Sequence, residues 1–170
     1  MGILSGNPKN EPMHYGEVYL TWMHLSAAKA FVAGYETLLN HTGDSDLKEL
    51  IKDVLENGTK PEIKQIEVLL KDHGVGLPPS PPERPEACIE NIPPGARFLD
   101  PEIGMKLGMD LGAGLVSCSA VMAECLREDI ALMYGQFHMK TTQYAARTLR
   151  LLKDKGWLVP PPLHIDQSDC

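Results

Sequence analysis

Basic residues are in the minority. Lysine and arginine number 16 against 23 aspartates and glutamates, and no basic run occurs. A formal net charge of −7 argues against nucleic acid or an anionic membrane surface as a partner. Cysteine is scarce as well: four residues, at positions 88, 118, 125 and 170, with no CxxC or zinc spacing among them. On a helix, Cys118 and Cys125 would share a face about 10 Å apart, too far to bridge, so reduced, intracellular thiols are expected. No apolar run approaches the ~20 residues that span a bilayer. The opening "MGILSGNPKNEP" is too short and polar for a signal peptide. Gly6 stands where a myristoylation pattern needs Ser or Thr. Cytoplasmic synthesis without a membrane span is therefore expected.

Motifs of nucleophilic and phosphate chemistry are lacking too. There is no G-x-S-x-G, and the glycines of "GMKLGMDLGAG" (104–114) neither follow a strand nor lead to Gly-Lys-Ser/Thr. Cys118 and Cys125 lie within an apolar stripe, where cysteine acts as a small inert hydrophobe.

What is present is helical patterning. The 170 residues, 43% apolar and 23% charged, suit one domain, 1–170, with a real core. Residues 1–12 read as an arm. A helix over about 13–41 is apolar nearly all round, which implies burial on more than one face. "HTGDSD" turns the chain, with Asp44 or Ser45 as the next cap. A second helix over 45–73 carries Leu47, Leu50, Ile51, Val54 and Leu55 on one face, then Ile63, Ile66, Leu69 and Leu70 rotated by most of a right angle. Gly58 and Pro61 sit between the two sets, so a kink or break near 58–61 is expected, with Thr59 capping the segment beyond it. Residues 74–100 hold seven prolines and form a stiff extended connection. Asp100 as N-cap, Pro101 and Glu102 open a third helix over 101–126. After the weak break "LREDI", a fourth helix over 128–155 carries the stripe Ile130, Met133, Tyr134, Phe137, Tyr144, Thr148 and Leu152. Gly156 closes it, and 157–170 form a tail.

The order helix, turn, helix, long crossover, helix, turn, helix is the connectivity of a ferritin-like bundle. The expected fold is all-α: a ferritin-like up-down four-helix bundle with one long Pro-rich crossover between helices 2 and 3. "EVYLTWM", "IKQIEVLLKDHGVGLP", "RFLDP" and "LLKDKGWLVPPP", in this order and spacing, cover most of the chain. In these features the sequence resembles an uncharacterised Bacillus-type ferritin-like family related to spore coat protein F. The resemblance implies a structural role in spores or sporulating cells, with spore coat proteins as partners and the spore coat as a location. It supplies no catalytic residues.

Ferritin-like dimetal sites use Glu-x-x-His on two helices, and the sequence has none. Gly135 stands three before His138, and Gln65 three after Glu62. A looser set remains: His24, Glu62 and His138 fall at similar heights, with Ser117 near, and two histidines with a carboxylate can hold zinc or ferrous iron. The competing reading makes Glu62 the end of a T-x-x-E capping box begun at Thr59. Structural roles are favoured, so no cofactor is expected, a transition metal being the alternative.

Each glycine inside a helix costs about 1 kcal/mol relative to alanine. Gly104, Gly108 and Gly112, spaced by four, line one ridge of the third helix. The ridge is expected to admit close packing by other backbone, from the crossover or from a second subunit, a homodimer being the commonest form. The sequence thus reads as a non-catalytic structural or interaction protein. The alternatives are a metal-binding bundle, with oxidoreductase chemistry as one form of it, or a small-molecule binder in the bundle core.

Overall fold

The computed structural model describes residues 11–162 and 164. Most of the arm, the end of the tail and Cys170 lie outside the described residues. Within them the chain is all-helical, without strands. α1 spans Tyr15–Leu39, α2 Ser45–Asp53, α3 Lys60–Asp72, α4 Asp100–Glu124 and α5 Glu128–Asp154. Val54–Thr59 joins α2 to α3 as a π-helical segment, so the helices make four rods.

Of the expected kink or break, the π segment excludes the break. The phase change at Pro61 is real, because one inserted residue rotates a helix by about 100°. It is absorbed without interruption: the Lys60 N–H bonds to the Leu55 carbonyl, five residues back. Proline cannot donate and would crowd a tighter turn, and a π-bulge accommodates both. Thr59 does not cap α3; it is itself helical and makes no side-chain cap. Gly58 is needed here, since a Cβ at this position would lie 2.8 Å from the Tyr144 ring. The Tyr144 hydroxyl donates to the Asp53 carbonyl at 3.2 Å. With this bulge, Leu50, Ile51 and Leu55 reach one buried cluster with Leu107 and Tyr144. Ile66 and Leu70 reach another with Leu25, Val121 and Tyr134.

Helix ends follow local chemistry. Asp44 accepts from the N–H groups of Asp46 and Leu47, both at 3.0 Å. Gly74 and Gly156 adopt left-handed φ of 69°. They close α3 and α5 with Val75 N–H to Leu70 O and Trp157 N–H to Leu152 O, the geometry of a Schellman stop. Asp100 is not the N-cap of α4. Glu102 accepts from the Leu99 N–H at 2.7 Å, and Asp100 instead holds the α1–α2 turn through the Thr42 hydroxyl and the Gly43 N–H.

The segment between α3 and α4 lies along α1. Trp22 donates to the Gly76 carbonyl, Lys29 to Pro78 and Asn40 to Pro85, at 2.9, 2.9 and 3.0 Å. Lys29, 7% exposed, also pairs with Glu67 and so ties this segment to two helices.

α4 departs from two expectations. Pro94–Glu124 is long and apolar enough, by length and composition alone, to cross a membrane, because only the Lys106–Asp110 pair at 2.7 Å interrupts its middle. Core helices of water-soluble proteins meet the same criterion. The glycine ridge, moreover, is not covered by the crossover or by any other described backbone of this chain. A Cβ on Gly104 would meet Leu152 at 2.9 Å and Trp157 at 3.4 Å; on Gly108, Leu152 and Thr148 at 3.8 and 3.9 Å; on Gly112, nothing within 4 Å. Within the chain, only Gly104 of the three serves close packing, against side chains of α5 and the residues just after it.

Candidate functional site

Between α1 and α4 runs a half-open groove of about 470 Å³. Its walls are small: Ala27, Ala30 and Gly34 of α1 face Ala113 and Gly114 of α4. Phe31 and Tyr35 add aromatic surface, their rings tilted with centroids 4.3 Å apart.

Polar groups gather at the two ends. At the deeper end His24, 8% exposed, sits between helices. Its Nδ1 lies 2.7 Å from the Ser117 hydroxyl, and its Nε2 contacts Glu62 Oε1. The Tyr134 ring packs edge-on against the imidazole at 5.2 Å. The Tyr134 hydroxyl and Thr21 Oγ1 are buried beside one another, without hydrogen-bond geometry to a partner among the described residues. Burial holds the tyrosine hydroxyl well above its ordinary value. Cys118 is pushed up to about 12 by burial and by the Glu62 carboxylate, so it stays a thiol. At the other end the Tyr35 hydroxyl donates to Asp110 at 2.8 Å, and Lys106 donates to the same oxygen at 2.7 Å. Burial, then this hydrogen bond, raises the Tyr35 hydroxyl.

Of the sequence candidates, His24 and Glu62 are brought together, with Ser117 joined to them. Glu62 does not close a capping box. His138 is not part of the cluster; its carbonyl accepts from Thr142, and its side chain does not line the groove. No group of three or more His, Cys, Asp or Glu able to hold a metal ion occurs among the described residues.

A second polar cluster centres on Glu17 and Arg127, a pairing that the sequence did not reveal. Glu17 is 1% exposed and accepts from the N–H groups of Leu126 and Arg127 at 2.8 and 2.9 Å, and from His14 N–H at 3.0 Å. His14 Nδ1 accepts the Gly16 N–H, so Nε2 carries the hydrogen and donates to the Glu124 carbonyl at 3.0 Å. Arg127 grips Asp129 with two bonds, at 3.1 and 2.7 Å, and reaches the Glu11 carbonyl and His73. This cluster joins the start of α1 to the α4–α5 turn, and every group in it serves a helix end.

Four helical rods, a structural carboxylate latch and a small-walled groove with polar ends define a helical protein of a particular make. The chain belongs to the family described as "Protein of unknown function (DUF3231)", whose model matches residues 1–169. It is 53% identical over 167 residues, 98% of each chain, to "Uncharacterized protein YvdQ" of Bacillus subtilis (strain 168). It is 51% identical, with a TM-score of 0.92, to the crystal structure of "a putative spore coat protein (BH2358)" from Bacillus halodurans C-125, covering 94% of this chain and 100% of that one. A conserved hypothetical protein of Mycobacterium tuberculosis, rv2844, shares the fold at a TM-score of 0.68 and 14% identity, over 82% of this chain and 99% of that one.

Proposed function

We propose that the chain is a non-catalytic, spore-associated structural or interaction protein on a ferritin-like four-helix bundle. The observation that carries this is its similarity, at 51% identity over 94% of its length, to the Bacillus halodurans protein. The polar chemistry agrees. Glu17, Arg127, Asp100 and Lys29 all bond to backbone or to one another and tie segments together, as a scaffold requires. The long segment along α1 between two helical hairpins supports the ferritin-like connectivity.

A homodimer belongs to this proposal. Met109 and Val116 on α4, each 71% exposed, and Tyr19 and Met23 on α1, 62% and 44% exposed, supply apolar surface that the described residues do not cover. The test is extraction of washed, purified spores from a sporulating strain that carries the gene, followed by quantitative immunodetection. The protein is expected in the coat extract and not in vegetative cells. Equal abundance in vegetative cells with none in the extract would overturn the proposal.

One observation favours a second reading, a transition-metal centre: His24 and Glu62 meet in the bundle interior. Two protein donors fall short of the three that catalytic zinc and non-haem iron sites use, which keeps this reading second. Elemental analysis of protein purified without chelators separates the two. Less than about a tenth of an equivalent of metal is expected, and a stoichiometric transition metal would favour the second reading.

A further inference from the structure

We propose that the groove between α1 and α4 binds a small primary amine with an apolar body. The argument starts from space. At about 470 Å³ the groove falls in the range of small-molecule sites, roughly 300–1,000 Å³. It exists because facing positions on two helices carry little side chain. Ala27, Ala30 and Gly34 stand opposite Ala113 and Gly114, and a Cβ on Gly34 would meet no atom within 4 Å. Larger side chains there would gain dispersion contacts across the gap, so the small walls leave contact unfilled.

Charge selects the occupant. Glu62 uses Oε1 against His24, and Asp110 uses Oδ2 for both Tyr35 and Lys106. The second oxygen of each carboxylate accepts no hydrogen bond among the described residues, so the groove's spare polar capacity is that of an acceptor. Two carboxylates against one ammonium, Lys106, repel an anion. An ammonium donates three hydrogen bonds, whereas the aromatic surface of Phe31 and Tyr35 lies further along the groove, beside the apolar body. Glu62, the less exposed of the two at 13% against 31% for Asp110, is the place for the head. His24 and Tyr35 are separated by about 16 Å of helix rise along α1, which leaves an apolar body room to lie over the alanines.

The test uses the full chain and three probes with one ring system: 1-naphthylmethylamine, 1-naphthalenemethanol and 1-naphthoate, titrated calorimetrically at neutral pH. The amine is expected to bind one site at least tenfold tighter than the alcohol, with naphthoate weakest. Glu62→Gln, which keeps an acceptor for His24, should weaken the amine about tenfold and leave the alcohol unchanged. Ala113→Trp should abolish binding of both while the melting temperature, read by circular dichroism, is maintained. Sedimentation of the same samples reads oligomeric state. Equal affinity for all three probes, or binding that survives Ala113→Trp, would overturn the proposal. So would absence of saturable binding to millimolar concentration. An Ala113→Trp that splits a dimer while no probe binds the parent chain would assign the groove to a second copy instead.

Discussion

Replacing Glu17 by alanine removes one carboxylate and strands three backbone donors. The Arg127 N–H is buried, and those of Leu126 and His14 are part-buried. A hydrogen bond to a charged group contributes about 1.5–3 kcal/mol net, and a buried donor left unpaired costs about 1–3 kcal/mol. The three bonds share one acceptor group and do not add fully. The partly exposed donors regain water, so the total comes to about 3–5 kcal/mol. For a chain of this size each kcal/mol moves the melting temperature by roughly 2–4 °C, which predicts a fall on the order of 10 °C. Glu17→Gln keeps an acceptor for Leu126 and Arg127 but turns an N–H toward His14 or loses that bond, so about half the effect is expected. Exposed Glu90 in the segment before α4 serves as the control, where alanine should change stability by less than about 0.5 kcal/mol. Urea denaturation followed by circular dichroism gives the free energies. A Glu17→Ala variant within about 1 kcal/mol of the parent, with an unchanged denaturant slope, would refute the latch.

The glycines divide by what a methyl would meet. Gly58→Ala presses on the Tyr144 ring at 2.8 Å and should destabilise by about 1–3 kcal/mol. Gly108→Ala and Gly112→Ala meet ordinary contact or open space and should each stabilise by up to about 1 kcal/mol through helix propensity, read from the same denaturation curves. Thiol alkylation followed by mass spectrometry should modify exposed Cys88 rapidly in the native protein. Cys118, buried and pushed up to about 12, should be modified only after unfolding. Hydrogen bonds to Lys155, Asn57 with Arg147, and Arg127 lower the pKa of Asp44, Asp53 and Asp129 respectively below 3.8. Their stabilisation is present in full above that value and is lost as pH falls through the lowered folded-state values. Melting temperature should therefore hold from pH 7 to about 5 and drop below about pH 4, and a flat profile down to pH 3 would contradict this.

The helices were legible because their signals are local and redundant. Apolar spacing placed the core stripes, Asp44 and Glu102 marked helix starts, and Gly74 and Gly156 marked stops. The misreadings share one cause, a local pattern overruled by a partner far along the chain. Thr59 and Glu62 have capping-box spacing, yet Glu62 turns to His24 on α1. Asp100 has the position of an N-cap, yet Thr42 and Gly43 take its carboxylate. The stripe's phase change at Pro61 was visible, but its resolution by a π turn depends on Gly58 meeting Tyr144 of α5. The distant partners of Glu17 gave no signal, because the N–H groups of Leu126 and Arg127 lie more than a hundred residues away. The groove was hidden for a related reason. Gly104, Gly108 and Gly112 drew attention as a ridge, whereas the open space lies beside the next ridge, at Ala113 and Gly114. It becomes a groove only because Ala27, Ala30 and Gly34 stand opposite.

The most direct measurement of the proposed role is time-resolved fluorescence microscopy of the chain fused to a fluorescent protein, expressed from its own promoter through growth and sporulation. The account predicts no signal in vegetative cells, then a shell of fluorescence around the forespore that persists on the released spore. Diffuse fluorescence throughout growth, with dark spores, would contradict it.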